Sequence, residues 1–315
     1  MNGIMFKVDK RTELMSIILA LSECNEYAEE HFNLSINESY RERVKVWFSK
    51  FKNHNCIKIA KQLGMVEEGF AYDNPILLAF QLSENLTYDG KISKQLIEEL
   101  DCELLLKDFL YEVVNFAKET NFELFFKSEV EYYTKKLNEL KKFFNDGEFL
   151  NLIKIYFKME INSTFCVNII PTLINSNHGF KIDDYIYANI GLPCEDFVNI
   201  EQFNKGYEHI IIHEFLHNFV NSNTEKYHNE INVFSNINNV QMYNKIGHVN
   251  DTIVRALTIR IRELMSGINA SDFIKREHSW GFVYVEKVYK KIIEFERQNL
   301  NWNDWFENFI EIFIY

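Results

Sequence analysis

The sequence has 315 residues, 47% of them hydrophobic and 25% charged, which is enough apolar material for a large core and too much for a disordered chain. Lys and Arg number 34 against 46 Asp and Glu, a net charge of -12 that repels phosphate backbones and anionic lipid and argues against nucleic-acid or membrane partners. Three Pro and 11 Gly beside 28 Phe and 16 Tyr exclude a many-turned all-β sandwich and point to long helices around an aromatic interior.

The opening MNGIMFKVDKRTELMS sets Lys7, Asp9, Lys10, Arg11 and Glu13 where a secretory leader would carry its apolar centre. No window reaches the roughly 18 apolar residues of a membrane span, so a cytoplasmic location is expected. Arg11 to Ser22 carries Leu14, Ile17, Ile18 and Leu21 on one helical face, with Asp9 or Thr12 as cap. Further helices are predicted over Glu38 to Lys52, Pro75 to Ser83, Ser93 to Lys118 and Phe122 to Phe144. Cys24, Cys56, Cys102, Cys166 and Cys194 are widely spaced, odd in number and without a CxxC pair, so they read as reduced, buried small hydrophobes.

After Asp146-Gly147 the pattern changes. Ile153 to Pro171 alternates apolar and polar residues and is rich in β-branched and aromatic types, and a turn-like NSNHG leads to a second such run, FKIDDYIYANIGLP. These predict a small antiparallel sheet with Tyr185 to Ile190 as its edge. Helices resume near Asn204, with breaks near Asn221 to Thr224 and Lys245 to Asn250, and run to the aromatic NWNDWFENFIEIFIY. The expected class is α+β and predominantly helical: a helical region over 1–150, then 151–315 with the sheet and further helices. No charge run or Pro/Gly-rich segment marks a firm boundary, and one continuous domain is the alternative.

Within YEHIIIHEFLHNFV, His213-Glu214-Phe215-Leu216-His217 is an HExxH sequence. Two His four apart lie on one helix face and can bind one zinc ion, with Glu214 beside the metal's water as general base. Ile210, Ile211, Ile212, Phe215, Leu216 and Phe219 make that helix a buried one, and three buried polar groups without a common partner would each cost about 1 to 3 kcal/mol. A catalytic zinc needs a third protein ligand and an open position. Asp251 in HVNDTIVRALTIRIRELM is preferred over Glu263, with Glu225, Glu230 and His228 as weaker alternatives; the competing role for Asp251 is a helix cap. Arg255, one turn on, would steady a ligand carboxylate or meet substrate charge, and Tyr243 and His248 are candidate oxyanion donors. His209, His31, His54, His178 and His278 read as ordinary histidines.

The segments VDKRTELMSIILAL, WFSKFKNHNCIKIAKQL, HEFLHNFVN and VNDTIVRALTIRI together resemble a bacterial family of zincin-like proteins catalogued as a domain of unknown function. In that family a Glu precedes an Arg by four residues, where this chain has Asp251 before Arg255. The resemblance implies a gluzincin-like fold with an aspartate substitute and names no substrate. The expectation is a zinc metallopeptidase acting on a peptide or protein substrate. The alternatives are a helical binding or scaffold protein that keeps the zincin fold, or a zinc hydrolase of non-peptide bonds.

Overall fold

The computed structural model describes residues 3–23, 30–32, 34, 39–65, 73–158, 162–174, 176–191, 206–234, 237, 244–298 and 301–314. It is a predominantly helical α+β fold around one four-stranded sheet. The first long helix, Lys10–Ser22, starts at Asp9, whose side chain accepts the Arg11 N–H. The expected Ser93 to Lys118 helix is two, Lys94–Leu100 and Glu103–Glu119, parted where Asp101 takes a left-handed φ of 44° and ends the first. The Phe122 to Phe144 stretch also divides, into Phe122–Ser128 and Val130–Phe143.

The strands are β1 (Met5–Lys7), β2 (Thr164–Ile170), β3 (Asn177–Ile182) and β4 (Tyr185–Gly191), in the order β1-β2-β4-β3. The sheet is mixed and not antiparallel throughout: β1 and β4 both run parallel to β2, and only the β3–β4 hairpin is antiparallel. Because β3 folds back along the outer side of β4, Tyr185–Gly191 is interior and Asn177–Ile182 is the edge, reversing the expected assignment. The run from Ile153 is also not strand at its start. Phe149, Leu150, Ile153, Tyr156 and Phe157 are buried at helical spacing in the helix Asp146–Phe157, which Lys158 ends at a φ of 44°. A short apolar stretch fits both periods, and here the Asn145 cap, whose side chain accepts from the Glu148 N–H, favours the helix.

Alternation along β2 gives the sheet two buried faces. Phe165, Val167 and Ile169 join Ile186, Ala188 and Ile190 in an apolar core shared with the helices Tyr207–Thr224 and Lys245–Ser266. On the other face, Asn168 bonds Asn189 at 2.8 Å and receives the Asp9 N–H at 2.9 Å, while Ile170 joins the core built on Lys10–Ser22. Cys56, Cys102 and Cys166 are free thiols; Cys24 and Cys194 lie outside the described residues. Among the described residues no helix is long and apolar enough to cross a membrane.

Candidate metal centre

HExxH lies in the middle of the helix Tyr207–Thr224, which packs along Lys245–Ser266. Aromatic contacts set its rotation. Phe215 meets Phe149 and Phe165 at ring-centroid distances of 5.5 and 5.1 Å, and Phe219 stacks on Phe157 at 4.3 Å. With that face turned to the sheet, the i, i+4 pair His213 and His217 faces the neighbouring helix. The two helices are also clamped by a buried ion pair, Arg262 Nε to Glu208 Oε2 at 3.1 Å.

The Nε2 atoms of His213 and His217 are 3.1 Å apart, and Asp251 Oδ1 is 3.1 Å from the first and 4.0 Å from the second. Three ligands at tetrahedral zinc bond lengths stand about 3.3 Å from one another, so one ion matches this triangle in size. Among the described residues these three are the one group of His, Cys, Asp or Glu whose ligand atoms all lie within 4.8 Å of one another. Asp251 does not cap its helix: Asn244 does, its side chain accepting from Gly247 N at 2.7 Å, and Asp251 follows in the second turn.

The surroundings favour the protonation a ligand set needs at His217 and Asp251, whereas the buried Nδ1 of His213 has no partner among the described residues. His217 Nδ1 lies 3.1 Å from Asn221 Oδ1; with Nδ1–H donating there, Nε2 turns its lone pair to the cluster. Burial, with the neighbouring His213, pushes the His217 imidazole down to about 4, so it is neutral near pH 7. Burial opposes ionisation of Asp251, but the His213 hydrogen bond and the charges of His213, Arg255 and His217 hold its carboxyl below the usual range. Arg255 Nε donates to Asp251 Oδ2 at 2.8 Å, and its guanidinium is fixed by the fully buried Glu277 and by the Phe282 ring, 4.0 Å away.

Glu214 is buried beside the pair, and burial, then the charges of Asp73 and Asp251, push its carboxyl well above the ordinary value. The edge strand lies directly on it: a Cβ on Gly179 would fall 1.9 Å from the Glu214 carbonyl oxygen. On the same strand His178 bonds Asp73 Oδ1 through Nδ1 at 2.7 Å and Ser176 Oγ through Nε2 at 2.8 Å.

Other expected residues fall elsewhere. Glu263 pairs with Arg260 and takes the Tyr289 hydroxyl, so it is occupied away from the histidines. Glu225 and His228 pair with each other at 3.0 Å, and Glu230 is exposed. His248 lies flat against Phe282 at 4.8 Å, with its buried Nδ1 unpartnered among the described residues. Tyr243 lies outside the described residues. Sequence reasoning missed Glu277, Arg276 and Gly179. The first two are a helical charge pair like many others in the chain, and a lone Gly in a strand signals only that another backbone approaches closely.

No curated protein and no solved structure matches the chain. A family model described as Domain of unknown function (DUF4932) matches residues 4–314, nearly the whole sequence, and the chain belongs to that family.

Proposed function

We propose that the chain is a zinc-dependent metallopeptidase of gluzincin type. The observation that carries this reading is the convergence of His213 Nε2, His217 Nε2 and Asp251 Oδ1 within 4.8 Å, beside the buried carboxyl of Glu214. These three residues would hold a zinc ion, which would supply Lewis acidity to a substrate carbonyl and to an attacking water. Glu214 accepts the proton of the water that attacks the peptide carbonyl and returns it to the leaving amine nitrogen. Arg255 orients Asp251 by occupying Oδ2, which leaves Oδ1 toward the imidazoles. The β3 edge, held on Glu214 by Gly179, suits an extended peptide added as a further strand.

A second reading has one observation in its favour. The 3.1 Å separation of His213 Nε2 and Asp251 Oδ1 is also ordinary hydrogen-bond length, so the cluster can serve as a closed structural element of a binding protein. Metal analysis and a peptide-cleavage assay separate the two. The peptidase binds zinc at one equivalent and cleaves peptides, and Glu214→Gln keeps the zinc while losing cleavage. Full activity in that variant removes the mechanism; absence of zinc leaves the binding protein. Cleavage of esters or other acyl compounds, but of no peptide, would point to the non-peptide hydrolase.

A further inference from the structure

We propose that the cavity beside His213 and Glu214 is a subsite for a carboxylate of the substrate, held by Arg276. This rests on the peptidase reading for the identity of the substrate but not for the binding itself. The cavity has a volume of about 320 Å³, and its wall includes Asn177, His213, Glu214, Arg255, Arg276 and Trp280. That volume is at the small end of ligand sites, suited to one side chain or one chain end. It adjoins the general base, so a group seated there lies next to the bond being cut.

Two guanidinium groups share this wall, in a chain whose net charge is -12. Arg255 has two of its three nitrogens engaged, Nε on Asp251 and Nη1 on Glu277. Arg276 has one. It donates from one terminal nitrogen to Glu277 Oε1 at 2.9 Å; its Nε is buried with no partner, and its other terminal nitrogen has none among the described residues. An Arg carries five N–H donors in a fixed plane that matches a carboxylate. Here the plane is already set, with the Phe273 and Trp280 rings 4.7 and 4.8 Å from the guanidinium carbon. The side chain is still 31% exposed. A held guanidinium with donors to spare, partly open to solvent in a small cavity beside the base, needs little further ordering to bind an anion. Glu277 does not cancel it, because that one carboxylate is divided between Arg255 and Arg276.

A carboxylate can come from an acidic side chain or from the free end of a peptide, and three small probes distinguish them. N-acetylglutamate α-amide carries only the side-chain acid, N-acetylglutamine only the α-carboxylate, and N-acetylglutamine α-amide neither. Calorimetric titration into the full chain with a chelator present keeps any metal out of the result. One of the acids is expected to bind about tenfold tighter than the neutral probe, the gain of one charge-assisted hydrogen bond. The tighter of the two names the source. Arg276→Gln is expected to erase that preference, and Arg276→Lys, which keeps the charge, to retain part of it. Equal binding of all three probes overturns the subsite, and so does an unchanged preference in Arg276→Gln. If the Gln variant does not fold, a folded Lys variant that is indifferent to charge overturns it as well. Cleavage of peptide libraries is run alongside. Cleavage without a preference for acids or free ends overturns the subsite, whereas no cleavage at all counts against the peptidase reading alone, and the titration then decides the subsite by itself.

Discussion

Arg255 and Asp251, one helical turn apart, meet through a single carboxylate oxygen: Nε donates to Oδ2 at 2.8 Å and leaves Oδ1 facing the imidazoles of His213 and His217. The fully buried Glu277 and the Phe282 ring hold the guanidinium in turn. Arg255→Lys keeps the charge but loses the planar fork. Zinc affinity of that variant, measured by competition with a chelating dye, is expected to fall by about tenfold or more. An unchanged affinity would show that Asp251 needs no such support.

The third ligand is tested by a pair of substitutions on one helix. Asp251→Ala is expected to take zinc from one equivalent to near none, because it removes a ligand atom that meets both histidines. Glu263→Ala is expected to leave zinc content alone, since that carboxylate is spent on Arg260 and Tyr289. Metal content by mass spectrometry of both proteins decides it, and the opposite pattern would move the third ligand to Glu263.

Gly179 offers a test by addition of one carbon. A Cβ there would stand 1.9 Å from the Glu214 carbonyl oxygen and 2.9 Å from its Cα, and neither backbone atom can turn aside as a side chain would. The strand and the helix must therefore separate. Gly179→Ala is expected to cost about 2 kcal/mol in urea unfolding. Peptide cleavage is expected to drop about a hundredfold, as a displacement near 1 Å does at a catalytic group. A variant with unaltered stability would mean that β3 does not press on the helix in solution.

Two acids at the start of the first long helix give opposite pH dependences. Burial opposes ionisation of Asp9, but hydrogen bonds and charge from Arg11 and Lys7 bring its carboxyl down to about 2 from 3.8. The folded state then binds fewer protons than the unfolded one, so this contribution is present above pH 3.8 and is lost as the pH falls toward 2. Asp9→Asn should remove about 2 kcal/mol of acid-sensitive stability. Burial raises Glu13 from 4.5 to about 7, against the hydrogen bonds from Thr172 and Tyr40. Here the folded state holds the extra proton, so stability is full below pH 4.5 and declines as the pH rises to 7. Urea midpoints across pH should flatten at the acid end in Asp9→Asn and between pH 4.5 and 7 in Glu13→Gln. The same curves in the variants as in the parent would contradict these assignments.

Local chemistry was legible in the sequence wherever it repeats within a few residues. The helix over Lys10–Ser22, the helical environment of HExxH and the approach of His213 and His217 all follow from a period of 3.6 residues and an uninterrupted apolar face. Asp251 could be named as a candidate because it lies on a helix of its own. Whether it caps that helix or meets the histidines depends on where the helix begins, and Asn244 decided that by capping first. Strand order was not legible. Alternation along Tyr185–Gly191 is the same for an edge and an interior strand, and only the fold-back of β3 and the pairing of β1 from the far N-terminus settled which it is.

By itself, the sequence determined the helical bulk, the HExxH turn and its two imidazoles, because these depend on neighbours close along the chain. The tertiary structure alone decided that Asp251 Oδ1, and not Glu263, completes the cluster, that Gly179 lies on Glu214, and that Arg276 borders the cavity. Each of these joins residues tens of positions apart. Such contacts are fixed by how apolar faces bury against one another, and that is a property of the packed whole with no counterpart in local spacing.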